Sequence, residues 1–194
     1  MLLINRLPTD RLKTNLSQVT VLPKAITYLV ALGLGLTSIN AAAHNPNVAT
    51  LVMSKTASGE YLVKMSGALT GVEAQINQTY SKSAYQTAEQ FQSLAREHFV
   101  NSLTLFINHK LITLTNPRVQ LGHGTQFIAE AQNIPETIQS IELTDTFFKD
   151  LHGNKMTVVF LSDQLPSANY VLNDKNNHHL SLSSTDGQWR KSDK

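Results

Sequence analysis

Cysteine is absent from all 194 residues. That excludes a disulfide framework, a thiolate metal site and a cysteine nucleophile. It also excludes the lipid-modified cysteine that anchors a secreted lipoprotein. Aromatic residues make up only 7% of the chain, and its one tryptophan, Trp189, lies near the C-terminus. No row of aromatic platforms is therefore available for stacking bases, and a single tryptophan makes no carbohydrate platform. No G-x-S-x-G, H-E-x-x-H or S-x-x-K pattern occurs, which removes the usual sequence marks of hydrolytic chemistry. The chain also lacks an apolar run long enough to cross a bilayer, which takes roughly 20 residues.

The longest apolar stretch, Ala25–Leu36, has 12 residues and belongs to a recognisable unit, Lys24–His44. A cation, Lys24, precedes it, and a short polar segment with Thr37, Ser38 and Asn40 follows. Ala41 and Ala43 then stand at the −3 and −1 positions of a signal-peptidase site. The expected unit is a cleaved signal peptide over residues 1–43, which makes His44 the first residue of the mature protein. The segment before Lys24 is long for such a peptide, so either export tolerates the extension or translation starts downstream of Met1. The expected location is periplasmic or secreted, with no membrane anchor after cleavage.

Residues 1–43 hold four of the 16 basic and one of the 14 acidic residues, leaving 12 against 13 in the remaining 151. The basic balance of the whole chain therefore belongs to the segment expected to be removed. A near-neutral remainder argues against a nucleic-acid partner. About 150 residues suit one hydrophobic core, so one domain is expected over 44–183, with a flexible tail over 184–194.

Within that domain, Val48–Lys55 and Glu60–Leu69 alternate as strands around an Ala57-Ser58-Gly59 turn. Tyr61, Val63 and Met65 share one face. The pattern then becomes helical over 70–101. Thr70 to Glu73 and Thr87 to Gln90 both have the form of a capping box. Leu69, Val72, Ile76 and Tyr80 make one apolar stripe, and Phe91, Leu94, Ala95 and His98 another. Short strands return at 103–108, 110–115, 118–121, 125–132, 137–143, 155–161, 169–172 and 178–183. A helical turn is expected at Thr144–His152, stopped by Gly153-Asn154. These signals predict a mainly β fold, an antiparallel, immunoglobulin-like β-sandwich with a short helical insertion.

The order of landmarks resembles a family of short secreted β-rich proteins of Bacteroidetes and marine proteobacteria. That family is distantly similar to the extracytoplasmic part of HupE/UreJ-type metal permeases. The landmarks are His44-Asn45-Pro46 at the mature start, the hairpin running into helix, Leu121-Gly122-His123 before a strand, and Phe147–Leu151 leading into Met156–Leu161. The resemblance implies a β-sandwich-like fold and no established activity.

Two histidines carry the sharpest chemical expectation. An N-terminal His44 offers an amine and an imidazole from one residue, a bidentate nitrogen chelate of the kind copper(II) prefers. Pro46 has no backbone N–H, so amide chelation along the peptide stops there and a further ligand must come from the fold. His123, between two glycines, is the candidate, because its flanking residues let the backbone turn sharply. The plainer readings are a frayed terminus and a turn histidine bonded to its neighbours. His178 and His179 are adjacent, so on a strand they face opposite sides. His98, on an apolar helix face, reads as a core-edge residue. The expected function is thus non-enzymatic binding of a divalent metal, copper, for capture or delivery to a membrane metal transporter or other envelope protein. The alternative is a structural or protein-interaction β-sandwich module without metal.

Overall fold

The computed structural model describes residues 47–192, so the expected signal peptide and His44 lie outside the described residues. Alternation of apolar and polar side chains builds the opening hairpin. β1 (Val48–Lys55) and β2 (Tyr61–Ala68) pair antiparallel, with Lys55 opposite Tyr61 and Ala49 opposite Gly67. Every second residue turns inward: Ala49, Leu51 and Met53 from β1, and Tyr61, Val63 and Met65 from β2. Gly59 takes φ 90° in the connecting turn, a conformation that costs glycine little.

The helical insertion follows. α1 (Leu69–Tyr80) starts directly from β2, with Ala68 at its N-cap and no capping side chain. The box expected at Thr70 does not form, because the helix begins two residues earlier, with Ala68 and not Thr70 at the N-cap, and puts Thr70 inside the first turn. The box at Thr87 does form at the head of α2 (Ala88–Ser102): Thr87 Oγ1 accepts the Gln90 N–H at 3.3 Å and Gln90 Oε1 accepts the Thr87 N–H at 3.2 Å. Val72 and Ile76 of α1 and Phe91, Ala95 and Phe99 of α2 are buried in the same apolar cluster as the inward strand residues.

Nine further strands complete the described chain: β3 (Leu103–Ile107), β4 (Lys110–Leu111), β5 (Thr113–Gln120), β6 (Gly124–Gln132), β7 (Ser140–Asp145), β8 (Lys155–Leu161), β9 (Tyr170–Leu172), β10 (His179–Thr185) and β11 (Gln188–Lys191). They form two sheets, ordered β5-β6-β2-β1-β8-β9 and β11-β10-β7-β3-β4. The fold is mainly β, rich in antiparallel pairs and consistent with a β-sandwich. A single core cluster draws on both sheets, with Leu51, Phe127 and Met156 from one and Ile107, Ile141 and Leu182 from the other.

Several expectations need correction. The sheets are not wholly antiparallel, since β1 and β8 run parallel from Val48 opposite Lys155 to Ser54 opposite Leu161. The strand expected at 110–115 breaks at buried Ile112, where the chain leaves β3's sheet and joins β6's. β5 is irregular between Thr115 and Arg118, where Pro117 offers no ladder donor, as suits an edge strand. No helix forms at 144–152; Thr144 and Asp145 end β7, and the residues after them are a run of turns closed by Lys149 N–H to Thr146 O, Leu151 N–H to Phe148 O and Asn154 N–H to Leu151 O. The tail expected from residue 184 is instead a hairpin, in which β10 and β11 pair across Asp186-Gly187. Both turn residues have positive φ, 53° and 75°, as a tight hairpin turn requires.

Candidate functional site

Register brings four pieces of chain to one end of the six-stranded sheet. The start of β1 lies beside the end of β2, and the end of β2 beside the start of β6, with Ala68 opposite Gly124. The start of β8 flanks β1 on the other side. The described chain therefore begins, at Asn47, on the end that also carries the Gly122-His123-Gly124 turn and the 146–154 segment. Asn47 is fixed at two points: its carbonyl accepts the Lys155 N–H at 2.8 Å, and its Nδ2 donates to the His152 carbonyl at 3.3 Å.

His123 is exposed and lines a shallow depression with Ala68, Leu69, Thr70 and Gly122. Buried Thr125 steadies its turn by donating its hydroxyl to the Gly122 carbonyl at 3.1 Å. Because His44 falls outside the described residues, the structure places one member of the expected pair and not the other. It adds a residue that sequence reasoning passed over. His152 is exposed on the same end, and its backbone holds Asn47, three residues after His44. No local pattern could have found it, since that contact joins residues 105 apart in sequence.

The remaining described histidines have these neighbours. His98 Nε2 lies 2.9 Å from the Phe147 carbonyl, His178 Nε2 3.1 Å from Asp174 Oδ1, His179 Nδ1 3.0 Å from Thr144 Oγ1, and His109 Nδ1 3.4 Å from Glu142. Among the described residues no three histidine, aspartate or glutamate side chains gather as a metal cage.

Four buried polar residues lie in or against the 146–154 segment: Gln75, His98, Asp145 and Asn154. Gln75 Nε2 donates to Asp150 Oδ2 at 2.9 Å, tying α1 to the 146–154 segment. Asp145 ends β7 facing inward, and its Oδ1 accepts the Phe147 N–H at 2.7 Å. Its Oδ2 has no protein partner. Burial pushes the Asp145 carboxyl up to about 7, against the pull of the Phe147 amide. Burial holds His98 below its ordinary value; the bond to the Phe147 carbonyl and nearby Asp150 oppose that, while Lys149 adds to it. Neutral imidazole at His98 and a proton on Asp145 are what a water-poor interior favours.

This end of the sheet thus presents two exposed histidines, His123 and His152. Such donors suit a nitrogen-preferring metal. No protein-family model and no curated protein matches the chain.

Proposed function

We propose that this chain is an exported, non-enzymatic protein whose mature form begins at His44 and binds copper through the His44 amine and imidazole together with His123. The observation that carries the reading is the placement of the chain's entry and His123 on the same end of one sheet. β1 and β6 are separated by β2, so Val48 and Gly124 stand two strand spacings apart, about 10 Å. Asn47 is held in place, and the three residues from it back to His44 reach up to about 10 Å when extended, comparable with that gap. His152 is the second imidazole within reach, because its carbonyl is bonded to Asn47. The partner in this reading is a membrane metal transporter or other envelope protein, as the resemblance to HupE/UreJ-type permeases suggests.

The strand order supports an immunoglobulin-like reading of the sandwich. β1-β2-β6-β5 in one sheet and β3-β7-β10 in the other follow the A-B-E-D and C-F-G order of immunoglobulin domains. The helices then fall between the second and third of those strands, and β8-β9 between the last two.

The test is N-terminal sequencing of the exported protein, followed by copper(II) titration of the mature protein and of His44→Ala, His123→Ala and His152→Ala. The expected result is a start at His44, loss of at least tenfold in affinity in His44→Ala, and a comparable loss in His123→Ala. A loss in His152→Ala in place of His123→Ala would reassign the second imidazole. Unchanged affinity in His44→Ala, or cleavage elsewhere, would overturn the copper reading and leave the metal-free interaction module.

A further inference from the structure

Phe147 is gripped on both sides of its backbone by buried titratable side chains. Asp145 Oδ1 accepts its N–H at 2.7 Å, and His98 Nε2 lies 2.9 Å from its carbonyl, a bond that Nε2–H donates in either the matching neutral tautomer or the cation. The ring between these bonds is wholly buried. It stands edge-on to His98 with centroids 4.6 Å apart and packs on Phe127 at 5.1 Å and Phe148 at 4.5 Å. Phe147 is therefore the plug that closes this end of the core, and the segment it begins reaches Asn154, next to the start of β8.

We propose that Asp145 and His98 form a proton-controlled latch on residues 146–154, closed while both side chains are neutral and released when Asp145 ionises. The closed state leaves a carboxyl group in the interior with one oxygen bonded to an amide and the other, Oδ2, without a partner. A neutral carboxyl tolerates that position. A carboxylate needs several donors or water, and the interior supplies one N–H. Opening the segment is the nearest source of water: 146–154 is turn and loop, held by Thr146 to the Ser102 carbonyl, by Gln75 to Asp150 and by the burial of Phe147 and Phe148. The carboxyl's titration near 7 puts the release in the neutral range.

The charged and titratable neighbours do not supply the missing compensation. From α2 come His98 itself and Glu97, whose charge acts on Tyr80. Tyr80 of α1 meets His98 edge-on at 5.8 Å. Within the segment, Asp150 is held by Gln75, and Lys149 acts on His98. On the β10 side, His178 gives only its carbonyl to the Asp145 N–H, while its ring is bonded to Asp174. None of these is a cation bonded to Asp145. Release would also act on the bond from Asn47 Nδ2 to the His152 carbonyl. The latch does not depend on copper.

Amide hydrogen exchange of the protein across pH 5.5–8.5, corrected for the chemical exchange rate, tests this. The expected result is at least a tenfold loss of protection at residues 147–151 between pH 6 and 8.5, with a smaller change in β2 and β6. In Asp145→Asn, protection of the same amides should vary less than about twofold over that range. Protection at 147–151 that stays constant in the wild type would overturn the latch, and this reading needs no variant to fold. So would a loss of equal size in β2 and β6, or a pH dependence that survives in Asp145→Asn.

Discussion

Asp145→Asn removes one proton site while keeping its shape. The folded carboxyl sits at about 7 against an ordinary 3.8, chiefly because it is buried. Between about pH 4 and 7 the folded protein holds a proton that the unfolded chain has lost, so stability falls as pH rises through that window. Three units of displacement correspond to about 4 kcal/mol at 1.36 kcal/mol per unit. That figure is a ceiling, because opening of 146–154 would hydrate the carboxylate without unfolding the domain. Asparagine keeps an oxygen for the Phe147 N–H but puts an amide NH2 where Oδ2 has no partner, a cost of about 1–3 kcal/mol at every pH. The variant should therefore be less stable than wild type near pH 4.5, and the gap should close and reverse by pH 8. Urea denaturation followed by circular dichroism at a series of pH values gives the two stabilities. Their difference cancels every titration the proteins share. A difference that stays constant from pH 4.5 to 8.5 would refute the reasoning.

Gly67 admits the Phe148 ring: a Cβ there would stand 3.2 Å from the ring tip and 3.8 Å from Ala49 Cβ. Phe148 is buried and packed on Phe147, so Gly67→Ala should lower stability by about 1–3 kcal/mol, read as a shifted urea midpoint. Thr87→Ala removes the hydroxyl half of the α2 capping box and should cost about 1 kcal/mol. Thr87→Ser, which keeps an acceptor oxygen, should recover most of that loss.

Local pattern made much of the fold readable. The first hairpin follows from alternation at Leu51, Met53, Val63 and Met65, whose inward turn needs no distant partner to be predicted. α2 follows from its box at Thr87 and its stripe at Phe91, Ala95 and His98, all within one helix. Local pattern misses β11: the polar residues around Asp186-Gly187 read as a tail, and only the pairing with β10 shows the hairpin. Other features carry no local mark. Nothing in Lys110–Thr115 announces that the chain changes sheets at Ile112, because that step is set by which neighbour offers an open edge. The candidate site divides in the same way. His123 stands out between glycines, whereas His152 matters only through a bond to Asn47, 105 residues away in sequence.

By itself the sequence determined composition-level limits and periodicity. It ruled out thiol chemistry, distributed the strands, placed the helical pair between the second and third strands, and set His98 on a buried face. These are properties of neighbours along the chain, where side-chain spacing and backbone preference act. Tertiary structure decided the parallel pairing of β1 with β8, the gathering of Asn47, His123 and His152 on one end, and the grip of Asp145 and His98 on Phe147. The first two, and the bond from His98 to Phe147, join segments separated by dozens of residues; Asp145 stands only two residues from Phe147, and burial gives it its chemistry. An aspartate in the sequence is an ordinary acid; only the loss of water around it, with one amide to bond, turns it into a group that titrates near neutrality.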